Sequence, residues 1–198
     1  MTIKNYKSAL PLLATLLLVS TAVDAHTEEG VVGGFISGLL HPLFGPDHFV
    51  AMVAVGIWGA FLRQPAIWLL PVVFPLVMAL AGALGVLGVP LPMVEVGIAA
   101  SALVLGLMVL FAVRPPLWVA AVVVGVFAIF HGHAHGTELP EASNPLAYAI
   151  GFVLSTGLMH LAGILIGMLA YSQKGTLVVR TIGSVISLSG LYFLMGAI

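Results

Sequence analysis

Long apolar runs alternate with short punctuation rich in Pro, Gly and Arg along almost the whole chain. Beyond residue 25 the runs cover about residues 31–62, 66–88, 93–113, 117–136, 146–171 and 177–197. A helix needs about 20 apolar residues to cross a hydrocarbon core of roughly 30 Å, and each run is long enough. The connectors are short: Arg63-Gln64-Pro65, Val89-Pro90-Leu91-Pro92, Arg114-Pro115-Pro116, residues 137–145 and residues 172–176. No linker or shift in composition marks a second domain. The pattern predicts an all-α polytopic membrane bundle, with six transmembrane helices forming one domain over residues 26–198.

The first 25 residues have a different grammar. Lys4 and Lys7 form a positive start, and residues 9–22 are apolar apart from Thr15, Ser20 and Thr21. Val23-Asp24-Ala25 then offers small or modest residues for cleavage before His26. That reads as a secretory signal peptide over residues 1–25, with an uncleaved first helix as the alternative. In both cases the mature N-terminus is expected outside. The loops after the first, third and fifth spans then lie in the cytoplasm, and they hold Arg63, Arg114 and Lys174, with Arg180 just inside the sixth span. This follows the positive-inside rule and puts the C-terminus outside as well. The first three spans and the last three start on opposite sides, which allows an inverted repeat, although the residues of the two halves show no convincing similarity.

Composition fits the bilayer as solvent. Hydrophobic residues make up 61% and charged residues 7% of 198 positions, against roughly 25% charged in a typical soluble domain. A net charge of −1 with no basic cluster speaks against nucleic acid. The absence of Cys removes disulfides, thiolate ligands and thiol catalysis. Histidine is the anomaly. There are seven, as many as all Asp and Glu together, and ionisable groups in lipid carry a cost that function usually justifies.

Six of the seven fall within the apolar runs. The first group is His41-Pro42-Leu43-Phe44-Gly45-Pro46-Asp47-His48. On a regular helix His41 and His48 share a face but stand about 10 Å apart along the axis, too far for one ion. Pro42 and Pro46 each remove a backbone N–H and clash with the carbonyl four residues back, so a kink or unwound stretch is expected to shorten that gap. Asp47 is costly enough at this depth to be functional by default. The second group is Phe130-His131-Gly132-His133-Ala134-His135-Gly136. His131 and His135 are one turn apart on one face, and His133 points the other way. His160 stands near the middle of the fifth span and Glu95 at the outer end of the third. Together these groups describe a trail from the outer face toward the centre.

Blander readings apply to several of them. His160 alone reads equally as an interhelical hydrogen-bond partner, and the second histidine group as an interfacial cluster. His26 reads as the residue after cleavage, Glu138 and Glu141 as solvated loop charges, and the eight Met as ordinary apolar filling. Small-residue spacings such as Gly82, Gly85 and Gly88 read as close helix packing.

At these motifs the chain resembles the HupE/UreJ family of hydrogenase and urease accessory membrane proteins, regarded as nickel permeases. The signatures HPxxGxDH and FHGxAHG are both complete, as His41–His48 and Phe130–Gly136. The cleavable signal, the six spans and a histidine in the fifth span are also similar, and the resemblance covers essentially the whole chain. A looser similarity extends to nickel/cobalt transporters with a His-and-Asp-His motif in an early helix. The resemblance implies that His41, Asp47, His48, His131 and His135 are needed for transport, while His133 falls at the variable position of its motif.

The expectation is therefore a permease, not an enzyme, importing Ni²⁺ (with Co²⁺ as a second candidate) across the inner membrane of a bacterium to supply a nickel enzyme's maturation. No prosthetic group is expected, and a homo-oligomer is allowed but not specified. No Walker motif is present, and a divalent ion gains about 4.6 kcal/mol on crossing an inside-negative potential of about 100 mV. Two other classes remain at this point. One is a metal-dependent intramembrane hydrolase in which His ligands hold Zn²⁺ and Asp47 activates water. The other is a non-transporting assembly or sensor protein. Imidazole and carboxylate do not name the ion, because such a site binds Cu²⁺ at least as tightly as Ni²⁺.

Overall fold

The computed structural model describes residues 30–139 and 144–198. The expected signal peptide (residues 1–25), His26 and Glu141 lie outside the described residues. Within them the protein is all-α. Its helices are α1 (Gly30–Phe44), α2 (Pro46–Leu62), α3 (Ala66–Val86), α4 (Val94–Leu110), α5 (Leu117–Thr137), α6 (Pro145–Gly167) and α7 (Gln173–Ala197), with a 3-10 turn, Met168–Tyr171, extending α6.

The helix ends follow local chemistry. Pro46 and Pro145 sit in the first turns of α2 and α6, where a missing N–H costs nothing. Asn144 caps α6 by accepting from the N–H of Ala147, and Ser172 caps α7 by accepting from that of Gly175. The last helix thereby begins at Gln173, four residues earlier than the apolar run suggests, and Lys174 belongs to its first turn.

Helix α3, helix α5, α6 with its 3-10 extension, and α7 are each long and apolar enough to cross a membrane. The first apolar run is not one straight span. It breaks at Gly45 into α1 and α2, bent by 80°. Pro42, Gly45 and Pro46 concentrate the break, because Pro46 cannot donate to the carbonyl of Pro42 and its ring clashes there. A straight helix over this run would be about 48 Å long, well beyond a bilayer core, so a bend also solves a length problem. Helix α4 is apolar but has only 17 residues. Among the described residues, length and composition thus give four crossings, or five with the bent pair as one span. The chain is a multi-pass membrane protein.

Helix α3 packs most extensively on α5, α4 on α7, and α6 on both α1 and α2. Missing side chains permit the closest approaches. A Cβ on Gly132 or Gly136 of α5 would fall on the carbonyl oxygens of Met78 or Gly82 of α3. One on Gly56 or Gly163 would do the same where α2 meets α6. Backbones this close are how membrane helices associate without a hydrophobic drive between them. Lipid-facing positions carry exposed Leu, Val and Ile, while the interior is filled by Met52, Trp58, Leu70, Phe74, Met78 and Leu105.

The cations gather at one end of the bundle. Arg63 lies over the ring of Tyr171, Arg114 over that of Phe61, and Arg180 donates to the carbonyl of Leu110. The histidine groups, Asp47, Glu95 and Glu138 lie toward the opposite end.

Candidate functional site

Four imidazoles from three helices meet between α1, α2 and α5. Ring centroids are 5.0 Å apart for His41 and His135, 4.9 Å for His48 and His135, and 4.8 Å for His48 and His131. His41 and His48, expected about 10 Å apart on a straight helix, have ring centroids 6.3 Å apart across the break. His131 and His135 share a face of an unbroken α5, as their spacing requires. His135 stacks on Phe152 of α6, which fixes its plane. Burial deepens inward: the side chain of His41 is 34% exposed, whereas His131 and His135 are fully buried.

The hydrogen bonds assign a proton to one nitrogen of most of these rings and leave the other bare. The Asp47 carboxylate accepts from the backbone N–H of His48 at 2.8 Å and lies 3.0 Å from its Nδ1. A carboxylate only accepts, so Nδ1 carries the hydrogen and Nε2 presents a lone pair. Ser101 uses its single proton on the carbonyl of Ile98, at 2.6 Å. Its oxygen therefore accepts from Nε2 of His131, at 2.9 Å, and Nδ1 of His131 holds the lone pair. His160 donates from Nδ1 to the carbonyl of Pro71 at 3.3 Å, leaving Nε2 bare. The free nitrogens of His48, His131 and His160, and both nitrogens of His135, are buried without a partner among the described residues. In its neutral form each of these imidazoles offers one lone pair, at His135 on one of its two nitrogens, and that is the form in which His binds a transition metal.

His133 is turned away, as its position between His131 and His135 predicts. Its Nε2 donates to the carbonyl of Val89 at 2.7 Å and ties α5 to the loop between α3 and α4. His160 sits below the other rings. Phe74 lies between, its ring 5.4 Å from that of His131 and 5.3 Å from that of His160. Among the described residues no three His, Asp or Glu side chains converge as a ready first shell for one ion. The arrangement is a staircase of pairs running from His41 through His135, His48 and His131 toward His160.

Several partners were not legible as such. Glu138, expected as a solvated loop charge, lies 2.9 Å from Nε2 of His41 through its Oε2. That hydrogen bond from His41 holds its carboxyl below the ordinary value of 4.5, against the opposing effect of burial. Glu138 follows His135 by three residues, so a continued helical face brings it back to the cluster, and that spacing was the available signal. Asp47 and Glu95 line one cavity of about 500 Å³ together with Tyr192 and Phe193 of α7. Ser101 offered only its isolation in an apolar helix.

The sequence profile described as HupE / UreJ protein matches residues 13–193. Protein HupE of Rhizobium leguminosarum bv. viciae is 44% identical over 193 residues, covering 97% of this chain and 100% of that relative. No solved structure matches. With a profile match across nearly its whole length and a relative 44% identical over 97% of it, the chain belongs to the HupE/UreJ family.

Proposed function

We propose that this protein is a nickel permease that moves Ni²⁺ from outside to the cytoplasm, supplying a hydrogenase or urease maturation system. The observation that carries the reading is the set of bare, buried imidazole nitrogens on neighbouring helices, graded from a half-open mouth at His41 and Glu138 to His160. Such pairs hold a borderline divalent ion weakly and hand it on, which conduction requires. Asp47, His48, His131 and His135 form the middle of the path, His41 its mouth and His160 its deepest imidazole. We assign His133 to tethering α5. Co²⁺ is a second cargo compatible with the same donors.

The topology that goes with this reading has six spans, counting α1 and α2 as one broken span and α4 as a short one. Residues 1–25 are a signal peptide removed before His26, residues 26–198 are the transport domain, and both mature termini face the periplasm across the inner membrane. The gathering of Arg63, Arg114 and Arg180 at one end supports that orientation. A zinc hydrolase is less well served, because it needs about three protein ligands in one first shell with an open position.

Uptake of radioactive nickel by cells expressing the chain tests the reading. Asp47→Ala and His48→Ala should each lower uptake at least about tenfold at equal membrane levels, since the first removes the half-buried carboxylate that orients the His48 ring and the second removes that buried ring. Undiminished uptake in both variants would falsify the assignment. Competition by Co²⁺, Zn²⁺ and Cu²⁺ ranks the cargo.

A further inference from the structure

Beside the imidazole cluster the interior offers sulfur. Met52 follows His48 by one turn on α2, and Met78 follows Phe74 by one turn on α3, where its backbone meets Gly132 of α5; both Met are fully buried. On α6, Thr156 stands one turn below Phe152 and one turn above His160. Its hydroxyl oxygen is 3.4 Å from Sδ of Met52 and 4.0 Å from Sδ of Met78. Two thioethers from different helices thus converge on one hydroxyl, which stands between Phe152 and His160 along α6. A hydroxyl has a single proton, so it serves one sulfur at a time and its own lone pairs stay available.

Resting on the permease reading above, we propose that Met52, Met78 and Thr156 form a second station of the ion path. This station admits borderline transition-metal ions such as Ni²⁺ and Co²⁺ and rejects hard Mg²⁺ and Mn²⁺. The chemistry follows from the donor set. Hard cations prefer carboxylate, carbonyl and water oxygens, and a thioether replaces those ligands poorly. Nickel and cobalt tolerate sulfur. All three donors are neutral, so the station binds without a counter-charge, and an ion arriving from His48 or His131 leaves readily toward Nε2 of His160. The helical spacing supports the same order: positions 48 and 52 on α2, 152, 156 and 160 on α6, and 78 and 74 on α3 descend together. Met is otherwise a common core filler, and Leu would pack these positions equally well.

The test is the double variant Met52→Leu/Met78→Leu, a volume-conserving change, made in the full chain and compared with Met195→Leu at an exposed position. Two measurements are needed: radioactive nickel uptake in cells with and without excess Mn²⁺, and nickel K-edge X-ray absorption of the purified, nickel-loaded protein. The double variant should lose about tenfold in the ratio of nickel uptake with Mn²⁺ to that without it. A sulfur shell around nickel should be present in the wild type and in Met195→Leu, and absent from the double variant. Unchanged selectivity in the double variant, or a wild-type spectrum with only nitrogen and oxygen neighbours, overturns the station while leaving the permease intact. A wild-type chain that takes up no nickel overturns the permease reading, and the sulfur shell still decides the station.

Discussion

Helix α5 delivers His131 and His135 from consecutive turns of an unbroken helix, whereas α1 and α2 deliver His41 and His48 from the two sides of an 80° break. Both pairs end in the same cluster. In α5 the geometry is local, since four residues return a side chain to the same face on any α-helix. It needs only that α5 pack tightly, which Gly132 and Gly136 allow against α3. In α1 and α2 a seven-residue spacing would keep the rings apart, and the backbone itself must bend. The second arrangement is costlier to build but gives more. It opens a gap in the helix at Gly45 and places Asp47 in the first turn of α2, where its carboxylate both suits the helix dipole and orients His48. One segment supplies ligands, and the other supplies ligands together with the carboxylate that orients one of them, His48.

The sharpest test of this contrast lies within α5. His135→Ala removes a ring stacked on Phe152 and touching both His41 and His48, and should reduce nickel uptake at least about tenfold. His133→Ala, two residues away on the opposite face, should cost about threefold or less, through the loosened tie to Val89. Uptake assays at matched membrane levels separate them, and equal losses would mean that the cluster does not define the path.

A middle-sized effect is expected at the break. Pro42→Ala/Pro46→Ala restores two backbone donors and relieves the ring clash, so α1 and α2 become free to straighten. The packing of α1 on α6 opposes full straightening, and uptake should fall by about threefold to fivefold. Spin labels placed at exposed Leu40 and Phe49 report the angle directly. Reduced uptake at an unchanged distance would show that the prolines act otherwise than through the bend.

The smallest effect concerns the mouth. His41 keeps the Glu138 carboxyl below its ordinary value of 4.5. A depressed carboxyl contributes stability above its unfolded value, and that contribution disappears as the pH falls through the lowered one. Glu138 is well exposed, so solvent weakens the pair. In detergent, the wild type should melt about 1–3 °C above Glu138→Gln near neutral pH, and the gap should close on acidification below about pH 4.5. A gap that persists in acid would assign the difference to something other than the His41–Glu138 pair.

The membrane character of the chain was legible from its apolar runs, and so was the common face of His131 and His135, because both depend on composition and short-range periodicity. The opposite aim of His133 was legible for the same reason. The prolines announced a break near Gly45 but not its angle, which depends on how α1 and α2 each pack on α6. The pairing of Glu138 with His41, the sharing of one cavity by Asp47 and Glu95, and the meeting of Met52, Met78 and Thr156 join residues far apart in the chain. No local rule encodes such meetings. Helical period and hydropathy are set by covalent spacing and transfer from water, and one sequence carries them openly. Which bare nitrogen faces which sulfur or carboxylate is decided by the close approach of helices, and only the tertiary structure contains it.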